Sequence, residues 1–223
     1  MWNIDLTLVD VARVSREAYA EAFQRTTGRR LVALPQLAGA SDSEIFFDAL
    51  ALNEVEASDL LSQYNAELAA AFGSRAGLLP EHGRVLPGAL EALAAASRLP
   101  GAIQTVLTGT IRPNAGLKLR AFGLDRYLDL DIGGFGSDVY PKGTQILRSL
   151  AMAQEKYGVR LTSADVVYVA DSTRDVAAAQ VASVRCVGVA TGRSTSAELK
   201  EAGANPVLDD LSITTRVINA VTP

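Results

Sequence analysis

The chain is poor in the residues that carry redox and pH-switch chemistry: its 223 residues include one cysteine, Cys186, and one histidine, His82. A lone cysteine excludes an internal disulfide. Set in the apolar run Cys186-Val187-Gly188-Val189-Ala190, it reads as a buried strand thiol, which fits a reducing cytoplasm. No apolar stretch approaches the roughly 18–20 residues a membrane span needs, and no signal peptide is expected. Long runs of like charge are missing too. Lysine and arginine number 21 against 25 acidic residues, a net charge of −4. A mildly acidic, dispersed charge gives no footprint for nucleic acid or an anionic membrane. Residues 14–83 contain no lysine at all. There is no internal repeat and no low-complexity segment.

What is present is apolar content, 48% of residues, enough for one large domain or a core with an insertion. Apolar residues recur at helical spacing through Val14, Ala18, Ala22 and Phe23, and Gly28 ends that helix. Ser41-Asp42-Ser43-Glu44 has the form of a capping box opening a second helix through Ile45, Phe46 and Leu50. A third is predicted over Glu56 to Phe72. From about residue 84 the pattern changes to alternation. Strands are predicted at Ala102–Leu107, Leu128–Ile132, Val166–Ala170 and Arg185–Val189. Helices are predicted after Pro87-Gly88, over Asn114–Phe122, at about 143–157 and over Arg174–Ala182. Strands alternating with helices indicate a parallel sheet covered on both faces. The fold class is therefore α/β, a doubly wound parallel sheet formed by residues 1–13 and 84–223, interrupted by an all-helical insertion at 14–83.

Polar residues cluster where the apolar strands end, the edge at which open α/β sheets bind ligands. Asn3 and Asp5 follow a first strand that has only Met1 and Trp2 upstream, so either the N-terminus is trimmed or the strand is unusually short. Thr108-Gly109-Thr110 follows the second. Lys142 sits in the loop Val139-Tyr140-Pro141-Lys142-Gly143, and Asp171 and Asp175 flank Ser172-Thr173-Arg174 after the fourth.

In order and separation these pieces resemble the four motifs of the haloacid dehalogenase-like (HAD) hydrolases, over essentially the whole chain. Arg112-Pro113-Asn114, Phe122-Gly123-Leu124 and Gly133-Gly134-Phe135-Gly136 look like the phosphoglycolate-phosphatase-like branch, which carries a helical cap after its first motif. The resemblance implies a Mg²⁺-dependent phosphomonoester hydrolase acting on a small phosphorylated metabolite through an aspartyl-phosphate. Position 3 would hold the nucleophile and a metal ligand. Asp5 would be general acid and then base, with its carbonyl on the metal. Thr108, with Gly109, would bind phosphoryl oxygens, and Lys142 would neutralise nucleophile and phosphate. Asp171 would ligate Mg²⁺, and Asp175 would hold the metal through water or position Lys142. Lys118 is the runner-up lysine, although its mid-helix place reads as a solvated face. Thr7 either belongs to the motif or only bonds the turn backbone, Asp10 reads as structural, and His82 as an exposed turn residue.

Two departures matter. Leu6 stands where the family often has glycine, a position that varies. Asn3 stands where the family has aspartate, and an amide oxygen is a far poorer nucleophile than a carboxylate. Three readings stay open for Asn3: an engineered inactive variant, a natural non-catalytic phosphate-binding pseudo-phosphatase, or an asparagine that deamidates or is bypassed. The exchange is the minimal one an experimenter would choose and the other motif positions are intact, which favours the first. Asp5 argues against a dehalogenase, and the lysine-free insertion against a Schiff-base phosphonatase. A mutase is less favoured, although Arg16, Arg25, Arg29, Arg30 and Arg75 could grip a second phosphate. Ala40 stands where relatives often have arginine, which weakens a transfer of phosphoglycolate specificity. A monomer or weak homodimer is expected.

Overall fold

The computed structural model describes residues 1–137 and 141–222. Val139 and Tyr140 of the lysine loop lie outside the described residues. Three strands, β3 (Val167–Ala170), β4 (Arg185–Val189) and β5 (Val207–Leu208), run parallel, with Val167 opposite Arg185 and Gly188 opposite Val207. The sheet continues beyond β3 through single parallel bridges: Trp2 pairs with both Val169 and Val106, and Leu107 with Gly134. The Asn3 N–H donates to the Val169 carbonyl at 2.9 Å and the Trp2 N–H to that of Thr105 at 2.9 Å. The first residues are thus the centre of the sheet.

Alternation along these strands sorts side chains to two faces. Val167, Val169 and Val187 pack with Ala89, Ala92 and Leu93 of α5 (Ala89–Ala96) and Val217 of α10 (Thr214–Val221). Tyr168, Ala170 and Cys186 pack with Ile146 of α7 (Lys142–Tyr157) and Val176 of α8 (Thr173–Val181). Two clusters on opposite faces of a parallel sheet make the architecture doubly wound, as the alternation predicts. Cys186 is buried, and that burial raises its thiol to about 12.

The chain leaves this core through β1 (Val9–Asp10) and re-enters through β2 (Arg84–Val85), which pair antiparallel with Val9 opposite Val85. Between them lie α1 (Ala12–Thr27), α2 (Asp42–Leu52), α3 (Leu61–Gly73) and the short α4 (Leu79–His82). The stripe Val14, Ala18, Ala22 and Phe23 of α1 is buried, as are Tyr64, Leu68 and Phe72 of α3, and the two helices pack together. Gly28 closes α1 in the left-handed conformation (φ 71°), its N–H on the Gln24 carbonyl. Ser41 and Glu44 form the expected capping box.

Two strand predictions need correction. Of Ala102–Leu107 only Val106 and Leu107 form β-bridges, with Trp2 and Gly134. Leu128–Ile132 is not a strand: Leu130–Ile132 is a 3-10 turn whose cap, Asp129, accepts the Asp131 N–H. The period-two pattern is real, with Leu128 and Ile132 buried, but the short acidic side chain competes for the backbone. The sheet pairing slips forward to Gly134. α9 (Ser196–Glu201), α10, β5 and the β1–β2 ribbon are too short or too polar to have been separated from loop by periodicity.

Candidate active site

Past Asn3 the chain folds into a tight turn. The Leu8 and Val9 N–H groups both donate to the Ile4 carbonyl, at 2.9 and 3.1 Å. Leu6 adopts φ 60°, a region that costs a residue with a side chain roughly 1–2 kcal/mol and glycine almost nothing. Its carbonyl accepts the Thr191 hydroxyl at 2.6 Å. This turn brings Asn3, Asp5 and Thr7 together at the carboxyl edge of the sheet.

Asn3, Asp5, Thr108, Gly109, Lys142 and Asp171, drawn from four segments, line one cavity of about 100 Å³. A larger cavity of about 380 Å³ lies near Met1, Ile103 and Val166, and none of these six residues lines it. Asp175 does not reach the first cavity's lining. Fully buried, it accepts from Lys142 Nζ at 2.7 Å, the Tyr168 hydroxyl at 2.8 Å and Ser172 Oγ at 2.5 Å. It therefore aims Lys142, the first residue of α7, and is turned away from the place where a ligated cation would sit.

Asp171 directly follows β3, with its carboxylate buried. Its Oδ1 accepts the Asn3 amide at 2.8 Å and the Thr7 hydroxyl at 2.8 Å. Desolvation, followed by the nearby Asp175 charge, pushes this carboxyl up to about 7, against the opposing pull of Thr7, Asn3 and Lys142. Thr7 thus serves the site and is more than a turn residue.

Lys118 is the larger correction. It is 2% exposed, not solvated. Its Nζ donates to both oxygens of Asp5 (2.8 and 2.7 Å) and to Thr110 Oγ1 (2.8 Å), and it lies 5.5 Å from the centre of the Phe72 ring. The signal was in the helix α6 (Arg112–Ala121): Lys118 falls three residues after buried Ala115 and four after buried Asn114, inside the stripe that faces the protein.

Asp42, the first residue of α2, was not singled out from sequence. It is buried, accepts the Tyr19 hydroxyl at 2.6 Å and the Ile111 N–H at 2.7 Å, and its own N–H donates to the Gly109 carbonyl at 2.7 Å. Burial raises its carboxyl. A methyl on Gly109 would overlap the Ala40 carbonyl, and one on Gly136 would overlap that of Gly109. The residues before α2 are therefore seated directly on the Thr108–Gly109 loop. Asp10 pairs with Arg84 at 2.9 Å, and His82 ends α4, away from the cavity lining.

As the donors are engaged here they do not fit a resident Mg²⁺, which takes one or two free carboxylates, with waters or phosphate completing its octahedron. The available oxygens are Asn3 Oδ1, the Asp5 carbonyl and the Asp171 carboxylate. Asn3 Nδ2 already donates to the last two, at 2.9 and 2.8 Å. With no cation between them, turning the amide over would set its oxygen against the Asp5 carbonyl and Asp171 Oδ1, the oxygen that already accepts from Thr7. The Asp5 carboxylate is committed to Lys118 and that of Asp175 to Lys142. Among the described residues no group of three acidic, histidine or cysteine side chains could hold a metal ion.

A family model described as haloacid dehalogenase-like hydrolase matches residues 1–180. No curated protein sequence matches this chain. Solved structures share its fold. A predicted phosphatase from Clostridium acetobutylicum superposes with a TM-score of 0.73 at 18% identity, covering 98% of this chain and 96% of that one. A predicted phosphoglycolate phosphatase from Haemophilus somnus 129pt gives 0.68 at 20%, covering 97% and 96%. CbbY from Rhodobacter sphaeroides, in complex with phosphate, gives 0.67 at 21%, covering 95% and 93%.

Proposed function

The chain belongs to the haloacid dehalogenase-like hydrolases, and from that premise we propose that its cavity takes the phosphate monoester of a small metabolite, laid out for phosphoryl transfer to position 3 and arrested there by asparagine. The supporting observation is the convergence of Asp5, Thr108, Gly109, Lys142 and Asp171 on one cavity. Phosphoryl transfer needs positioning and charge neutralisation more than covalent chemistry. Lys142, aimed by Asp175, supplies a cation; the Thr108 side chain and the Gly109 backbone supply polar contacts. With aspartate at position 3, a carboxylate oxygen would form the bond to phosphorus while the ester oxygen left with a proton from Asp5. Water would then release phosphate from the acyl phosphate, with Asp5 taking the proton.

Residues 14–83, which hold nearly all of α1 to α4, are proposed as the cap that shields this chemistry from water. The phosphate-bearing structural relative CbbY and the relatives described as phosphatases lie on the side of this reading. A dehalogenase is disfavoured by Asp5, and a Schiff-base mechanism by the lysine-free helices. A second reading, a natural phosphate-ligand binder, is favoured by the hydrogen bonds that the Asn3 amide makes to its neighbours.

The test compares the chain with Asn3→Asp in p-nitrophenyl phosphate hydrolysis with Mg²⁺, added because that variant would carry carboxylates at both positions 3 and 171. Turnover by the variant and none by the chain as written is the expected result. A folded Asn3→Asp that hydrolyses no phosphate ester from a panel of metabolites would sink the phosphatase layout.

A further inference from the structure

We infer that the Asn3 amide does more than remove a nucleophile: its NH₂ group takes the place of the divalent cation, leaving a cavity that holds an anion without a metal. That the anion is a phosphate rests on the function proposed above; the exchange of amide for cation does not.

The geometry carries this. One nitrogen, Asn3 Nδ2, lies 2.9 Å from the Asp5 carbonyl, 2.8 Å from Asp171 Oδ1 and 3.3 Å from Thr7 Oγ1. A carbonyl and a carboxylate oxygen converging on one point require either a cation or a donor between them. Here the donor is built into the chain. It is held by Asn3 being the central residue of the sheet, with its N–H on the Val169 carbonyl.

The charges around the cavity close in the same way. Asp5 is paired with Lys118 and Asp10 with Arg84. Asp42 is met by the Tyr19 hydroxyl and the Ile111 N–H. Asp175, behind the cavity, is paired with Lys142. Among the described residues Asp171, like Asp42, has no cationic partner in hydrogen-bond contact, and its Oδ1 is met by the neutral donors Asn3 and Thr7. An entering dication would have to displace the amide and find one uncompensated carboxylate where aspartate at position 3 would give it two. Arg16 and Arg193 also line the cavity, are exposed, and make no ion pair among the described residues. These two guanidinium groups are what the cavity offers an entering anion.

The experiment uses the whole chain, Mn²⁺ as the metal probe and inorganic phosphate as the anion, both by calorimetry. Expected results are no Mn²⁺ binding by the chain as written, and phosphate binding that is unchanged by EDTA. Asn3→Asp should bind Mn²⁺ measurably and should bind phosphate in an EDTA-sensitive way. Where Asn3→Asp does not give a native circular-dichroism spectrum, Asn3→Ala replaces it. That variant removes the donor without adding charge and should also bind Mn²⁺ more tightly than the parent. Mn²⁺ binding by the parent as tight as by the variant overturns the inference, as does a folded variant that gains none. If the Mn²⁺ results hold but phosphate binds to neither chain, the phosphate reading fails and the exchange of amide for cation stands.

Discussion

Asp5 and Asp171 face the same small cavity and are compensated by opposite means. Asp5 keeps a side chain 39% exposed and meets a full charge, the buried ammonium of Lys118. Asp171 is 3% exposed and meets neutral donors, an amide and a hydroxyl. A carboxylate that neither water nor a cation reaches is pushed toward its neutral form. The difference turns on position 3: aspartate there would demand a cation beside Asp171, and asparagine supplies a donor in its stead.

The largest test of this contrast is in pH. The folded Asp171 carboxyl holds its proton up to about 7, while an unfolded aspartate loses it near about 4. Over that interval the folded chain binds more protons than the unfolded one. The stability Asp171 contributes is therefore full below about pH 4 and declines as pH rises, levelling off above about 7. Asp171→Asn does not titrate. Its stability relative to the parent should rise by on the order of 4 kcal/mol between about pH 4 and 8 in urea unfolding; a flat difference would mean that Asp171 is solvated.

Lys118→Met should come next. It leaves Asp5 without its partner, a loss of several kcal/mol for a fully buried pair, reduced to about 2 kcal/mol because water reaches Asp5. Adding Asp5→Asn should recover most of that loss. Thr7→Val removes one of the two neutral donors to Asp171 and should cost about 1–1.5 kcal/mol, with no effect on the Lys118 pair in a double-mutant cycle. Smallest, and of opposite sign, Leu6→Gly relieves the left-handed backbone between the two motif residues. It should gain no more than about 1 kcal/mol, since glycine also loosens the unfolded chain.

The core was legible because its strands are apolar runs that alternate with amphipathic helices, and because Ser41, Glu44 and Gly28 carry capping signals that act locally. The edge where polar residues gather was legible for the same reason: Asn3, Thr108, Lys142 and Asp171 follow apolar runs or open helices. What escaped depends on partners distant in sequence. Lys118 looks solvated until Asp5 is placed 113 residues away in sequence and 2.7 Å away in space. Asp42 reads as part of a helix cap until Gly109 and Ile111 arrive beneath it. The strand expected at Leu128–Ile132 failed through a competition that is local, a side-chain oxygen winning a backbone N–H, yet period-two patterning carries no sign of it.

The meeting of Ala40, Gly109 and Gly136 has a consequence for traffic through the cavity. Three stretches of main chain touch there with no side chain to act as bearing or spacer, and the Asp42 N–H is fastened to the Gly109 carbonyl. The seam closes one wall of the cavity, so a guest passing on that side would have to part it, and an alanine at Gly109, with no room beside the Ala40 carbonyl, would leave that wall ajar.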